Sequence, residues 1–177
     1  ETRLSEDLAA IRGDEPVRAL LARSGLLRQA VRVSPEDLEG RTVTSPYFAL
    51  SYLAARAEGA TDWFHGVALG TSGKGPFALE YHHIHPRKTL AGTYSRHQVN
   101  DLANFAFISK KANGKISSRS PAKYFPDLDE SELTSHFVPT DLDLRTADRY
   151  LDFLTARRSL LADAITDWIA GFKPTYV

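Results

Sequence analysis

The chain has no cysteine among its 177 residues, and this removes two explanations at the outset. Neither a disulfide framework nor a thiolate zinc site can form, so a metal would have to be held by His, Asn, Asp or Glu. An excess of one charge is also lacking, because 22 Lys and Arg balance 22 Asp and Glu. Attraction to a polyanion must then come from local clustering rather than from the field of the whole molecule. No apolar run is long enough to span a bilayer and no signal peptide is visible, so no membrane partner is expected. Internal repeats, low-complexity tracts and the Gly-x-Ser-x-Gly turn of serine hydrolases are missing as well. The lack of cysteine is compatible with the cytoplasm, the expected location. The first residue is Glu1 rather than Met, which reads as a cut from a longer protein.

What is present is ordinary for a globular domain: 42% hydrophobic and 25% charged residues, enough to bury a core. The pattern up to residue 76 reads as helical. Asp14 caps a helix with Pro16 in its first turn and Gly25 as its stop, Ser34-Pro35 opens a short one, and Ser45-Pro46 opens a longer one ending at Gly59. Gly70, Gly73, Gly75 and Pro76 then make a loop. Residues 77–84 and 104–109 are apolar and aromatic enough for two strands, and Lys110 to about Ser118 for a helix despite Gly114. Short helical turns are expected after Ser120-Pro121 and at Asp129-Glu130-Ser131-Glu132. The longest element is a helix from about Thr146 to Gly171 with an apolar stripe that packs on the N-terminal helices. The expected fold is mainly α around a small two-strand and helix centre. Its segments are 1–76, 77–125 and 126–177, one compact module.

The stretch Glu80-Tyr81-His82-His83-Ile84-His85-Pro86 stands out within this frame. Each buried imidazole brings two ring nitrogens that need partners, so three histidines in four positions point to a metal or a phosphate. His65 reads as a structural or surface histidine. Downstream, Asn104 and Asn113 answer the histidines, and Arg87, Lys88, Arg96, Lys110, Lys111, Lys115 and Arg119 surround them. As a cluster these cations suit a nucleic-acid backbone, while any one lysine equally suits a solvated charged face; nothing here is suited to reading base edges.

His82-His83, then Asn104, then Asn113 nine positions later, resembles the HNH (ββα-metal) nuclease motif, in which two strands and a helix hold one divalent metal. The interval from His83 to Asn104 is longer than in the shortest members and falls in a loop, where insertions are tolerated. The resemblance implies that His82 and Asn113 are metal ligands, that His83 is the general base, and that Asn104 steadies the loop between the strands. It implies Mg²⁺ as the cofactor, with Mn²⁺, Ni²⁺ or Zn²⁺ also admitted by an imidazole and amide pair. At the position of His85 related sequences tend to carry an apolar or aromatic residue; His85 is expected in the second shell or packed. Adjacent strand residues point to opposite faces, so His82 and His83 can share a site only where the strand twists or ends.

Further motifs, Asn104-Phe-Ala-Phe-Ile-Ser, Asn113-Gly-Lys-Ile-Ser, Ser120-Pro-Ala-Lys-Tyr-Phe and Phe153-Leu-Thr-Ala-Arg-Arg158, extend the resemblance over roughly residues 45–170. They are similar to the C-terminal nuclease half of GmrSD-type modification-dependent restriction proteins, which include phosphorothioate-sensing relatives. The resemblance implies a DNA endonuclease effector of an antiviral restriction system. It also implies a partner in the same full-length protein, an N-terminal nucleotide-hydrolysing sensor domain, whose Asp-Gly-Gln-Gln-Arg signature is absent here. Arg157 and Arg158 would then dock that domain or DNA, or else lie on a solvated helix face. The alternative function is a non-catalytic nucleic-acid-binding or structural module with Zn²⁺ held by His82, His85 and a third ligand such as His97.

Overall fold

The computed structural model describes residues 31–70 and 73–171, together with Glu6 and Ala9. The chain divides into two compact units, 1–32 and 33–177. The expected helix from Asp14 to Gly25 lies outside the described residues. The second unit is mainly helical around a two-stranded antiparallel sheet, and it draws on all three expected segments. No described helix is long and apolar enough to cross a membrane.

Local chemistry sets the helix starts. Helix α1, Pro35–Leu38, opens on a capping box in which the Ser34 backbone N–H donates to Asp37 Oδ2 at 2.9 Å. Helix α2, Pro46–Ala57, follows the cap Ser45 with proline in its first turn, and the chain leaves it through Gly59 at φ +79°. Ser51, Ala54 and Ala55 are its buried residues. Such small side chains let another helix come close, and α2 packs against the long C-terminal helix.

The ribbon comes next. Strand β1, Leu79–His83, pairs antiparallel with β2, Phe105–Ser109, in a register that sets His82 opposite Ala106 and His83 opposite Phe105. Both strands are slightly shorter than expected. Gly75–Phe77 forms a 3-10 turn before β1, and Asn104 closes another, Leu102–Asn104, before β2. Two strands alone are marginal in water, so the ribbon depends on what covers it. Phe48 of α2 lies against Tyr81, Phe105 and Phe107, with ring centroids 5.6, 5.9 and 4.8 Å away. Asn113, from the helix that follows β2, meets Glu80 and His82 on the opposite face.

The 84–104 connection carries two one-turn helices, α3 (Arg87–Leu90) and α4 (Arg96–Val99), the latter with a Ser95/Gln98 capping box. β2 passes without a loop into α5, Lys110–Ile116, and α6 (Pro121–Tyr124) and α7 (Glu130–Thr134) fall where the sequence places them. Helix α8, Tyr150–Ala170, starts later than Thr146 because 3-10 turns at Leu142–Arg145 and Ala147–Arg149 precede it. Its buried residues Tyr150, Phe153, Leu154, Arg157, Leu161, Ala162 and Ile165 recur at helical spacing. All but Arg157 join one core with Trp63, Ile84, Ile108 and Tyr124.

Candidate active site

The strand period distributes the motif. Glu80 and His82 share one face of β1, and Tyr81 and His83 share the other. His82 is buried, with Nδ1 2.8 Å from Asn113 Oδ1, and Asn113 Nδ2 donates to Glu80 Oε2 at 2.7 Å. Asn113 reaches this position because the start of α5 is fixed. Ser109 Oγ caps the helix by accepting from the Ala112 N–H at 3.0 Å, while the Ser109 N–H donates to buried Asp62 Oδ1. One turn later Asn113 faces β1.

Burial lowers the pKa of His82 to about 4; its bond to Asn113 opposes this, and neighbouring His83 adds to it. The ring is therefore neutral near pH 7 and retains a lone pair. Its Nε2 is buried without a hydrogen-bond partner, so Nδ1 is the nitrogen that meets Asn113. His82 Nδ1 and Asn113 Oδ1, now hydrogen-bonded at 2.8 Å, are the two donors that would hold a cation once the Nδ1 proton had moved to Nε2. Imidazole nitrogen and amide oxygen also suit the divalent ions expected.

His83 is half-buried, its ring centroid 4.2 Å from that of Phe105 and its Nε2 3.2 Å from Asn100 Oδ1. An amide oxygen only accepts, so the neutral ring carries its proton on Nε2 and leaves Nδ1 free to take one. Asn100 is held in turn by its Nδ2 donating to the Arg96 carbonyl at 2.9 Å. Burial lowers the pKa of His83; the Asn100 bond opposes this and Arg87 reinforces it.

The two histidines occupy opposite faces, as the strand period requires, yet both line one open cleft of about 260 Å³ with Asn113, Pro86, Arg87 and Lys88. β1 ends at His83, and the cleft wraps around that end. Asn104 braces the same corner. It is fully buried, with Oδ1 accepting from the His85 N–H at 2.9 Å and Nδ2 donating to the carbonyls of His85 (3.1 Å) and Val99 (3.0 Å). One side chain thus ties both ends of the 84–104 loop. Tyr124 adds a hydroxyl bond to the Ile84 carbonyl at 3.1 Å.

Other expected residues lie elsewhere. His85 is packed between Tyr150 and Phe153, with ring centroids 5.3 and 4.6 Å away. The ring of His97 lies against Gly40. Among the described residues no three His, Asp or Glu side chains converge as metal ligands, so the closed zinc set of His82, His85 and His97 is not assembled. His65 pairs with Asp62 at 2.7 Å, a structural contact.

Arg87 and Lys88 line the cleft, whereas Lys110, Lys111, Lys115 and Arg119 do not. Lys111 Nζ lies 5.5 Å from the Phe77 ring centre and Lys115 Nζ 3.9 Å from that of Phe64, and Arg119 pairs with Asp127 at 2.8 Å. The expectation for Arg157 and Arg158 is corrected on both counts. Arg157 is buried and donates to the carbonyls of Ala103 (2.8 Å), His136 (3.2 Å) and Phe137 (3.3 Å); Arg158 pairs with buried Asp101 at 2.6 Å. Arg157 is thus neither solvated nor free to dock, and Arg158 is half-buried on Asp101 rather than on the solvated face.

Sequence reasoning missed two site residues. Glu80 lies two positions before His82, so period two alone places both on one face. Asn100 sits in the loop with no periodic signal. Comparison with protein-family models, curated proteins and solved structures finds nothing that matches this chain.

Proposed function

We propose that this chain is a metal-dependent DNA endonuclease in which His83 is the general base and His82 with Asn113 forms the cation site. The observation that carries this reading is the convergence of His82, His83 and Asn113 on one cleft that Arg87 and Lys88 also line. A divalent cation, Mg²⁺ by preference, would be held by His82 Nδ1 and Asn113 Oδ1 and would supply Lewis acidity to the phosphate and its leaving oxygen. His83 Nδ1 accepts a proton from the attacking water, while Asn100 and the Phe105 ring hold the imidazole in place. Glu80 orients Asn113 through its amide N–H. Arg87 and Lys88 attract the phosphodiester, and Asn104 keeps the loop that carries them in register with β1.

The wider role, a nicking or cleaving effector in an antiviral modification-dependent restriction system joined to a nucleotide-hydrolysing sensor domain, rests on the sequence resemblance alone. The test is incubation of the purified chain with supercoiled plasmid in Mg²⁺, Mn²⁺ or EDTA, beside His83→Ala. Nicked or linear product that needs both cation and His83 is expected. Cleavage that survives in EDTA or in His83→Ala would overturn the mechanism.

A further inference from the structure

A second cleft of about 600 Å³ adjoins the first, and Arg87 and Lys88 line both. Its other walls include Tyr94, Arg96 and Asn100, the residue that holds His83. Three cations converge there and no carboxylate lines either cleft. In a chain of zero net charge this is a local concentration. Among the described residues Arg87, Lys88 and Arg96 have no carboxylate partner, unlike Arg119, Arg149 and Arg158. Their charge is left for an external anion.

The cleft also presents a fixed aromatic ring. The Tyr94 hydroxyl donates to the Ala147 carbonyl at 2.7 Å, and its ring packs edge-on to Tyr150 with centroids 5.0 Å apart. A half-buried ring anchored in this way offers a stacking surface at little entropic cost. Cations beside an aromatic platform, in a concavity within the usual range of about 300–1,000 Å³ for small-molecule sites, match the chemistry of a nucleotide.

We propose that this second cleft binds an unpaired nucleotide next to the scissile phosphate, with phosphate on Arg87, Lys88 and Arg96 and the base against Tyr94. The substrate presented to the site is then single-stranded or locally opened, because a base stacked and paired within a duplex cannot enter a concavity. Stacking and phosphate contacts do not distinguish base edges, so binding is insensitive to sequence. The inference rests on the nuclease reading of the first cleft.

Binding is measured by fluorescence anisotropy in EDTA, with a labelled short oligothymidylate and a labelled blunt duplex carrying the same number of phosphates. The single strand is expected to bind about tenfold more tightly. Arg96→Glu should weaken it by about tenfold, and Arg96→Ala should reduce the slope of log affinity on log salt by about 0.7. Arg56→Glu, the same charge change on α2 outside both clefts, should leave binding as it was. Arg96 is exposed, and unchanged circular-dichroism melts would confirm that its variants fold. Equal affinity for the two nucleic acids, or an equal loss from Arg56→Glu, overturns the proposal. Turnover plays no part in this measurement. Arg96-dependent binding of the single strand, with no metal-dependent cleavage of either that strand or plasmid, would therefore sink the nuclease reading and leave this cleft standing; metal-dependent cleavage with no role for Arg96 would do the reverse.

Discussion

His82 Nδ1 and Asn113 Oδ1, 31 residues apart in sequence, face each other at 2.8 Å across the junction of β1 and α5. Without a cation, the imidazole N–H donates to the amide oxygen. A cation held by both would need a lone pair on Nδ1, so the ring proton would move to Nε2 and this hydrogen bond would be lost. Asn113→Ala should therefore weaken Mn²⁺ binding by about 10–100-fold, as loss of a ligand or its support does elsewhere. Asn113→Asp, which keeps an oxygen donor but loses the N–H that Glu80 holds, should recover only part of that loss. Calorimetric titration with Mn²⁺ checks both, and equal affinity in wild type and Asn113→Ala would remove Asn113 from the ligand set.

The bond between His83 and Asn100 gives a second prediction, on pH. Burial holds the His83 pKa below its ordinary value, so the imidazole is neutral through neutral pH, and on the proposed mechanism activity should fall only on the acid side of the ordinary histidine range. Asn100→Asp puts a carboxylate beside Nε2, favours the imidazolium and should move that acid limb upward. Asn100→Ala should lower the rate at every pH, since the free tautomer is no longer selected. Rate against pH for plasmid nicking by the three proteins decides it. An acid limb that stays in place in Asn100→Asp would show that Asn100 does not act on His83.

Much of this site was legible in the sequence, for identifiable reasons. Ser-Pro pairs at Ser34, Ser45 and Ser120 mark helix starts through capping and proline geometry, and all three helices occur there. His82, Asn104 and Asn113 could be singled out because the strand, loop and helix that carry them have local signatures. Asn100 and Glu80 act through contacts that only the closed fold makes. Arg157 is the clearest miss. An arginine between Ala156 and Arg158 on a long helix reads as exposed, and only the packed structure reveals three backbone carbonyls aimed at it.

Two core histidines make folding itself sensitive to acid. Burial holds both His85 and His136 at a pKa of about 4, although backbone contacts at Leu144 and Thr61 pull upward. Each has one ring nitrogen buried without a partner, His85 Nε2 and His136 Nδ1. Protonating that atom would bury an unpaired N–H and a charge. The folded pKa lies below the unfolded value near 6.5, so the unfolded chain binds more protons between them. Stability is thus complete above about pH 6.5 and is lost as pH falls toward 4, at up to about 1.4 kcal/mol per pH unit for each histidine. Urea unfolding at several pH values in EDTA should show this slope. His136→Gln should flatten it; a slope that His136→Gln leaves unchanged would exclude that histidine as a source.

Arg157 tests whether the core needs a buried guanidinium. Its three carbonyl partners belong to the 3-10 turn before β2 and to the segment after α7, so a single side chain ties α8 to two other parts of the unit. Burial also lowers its pKa to about 9, with Tyr124 and Asp101 opposing, so the charge persists at neutral pH. Arg157→Ala would strand three carbonyls, and each unsatisfied buried group costs about 1–3 kcal/mol. A loss of roughly 3–5 kcal/mol is expected, within the range for breaking a buried charged network. Arg157→Lys should recover only part of it, because an ammonium is compact and lacks the planar fork that spans three acceptors. Chemical denaturation of the two variants gives the answer. Equal stability of Arg157→Lys and wild type would mean that charge rather than geometry is what this position requires.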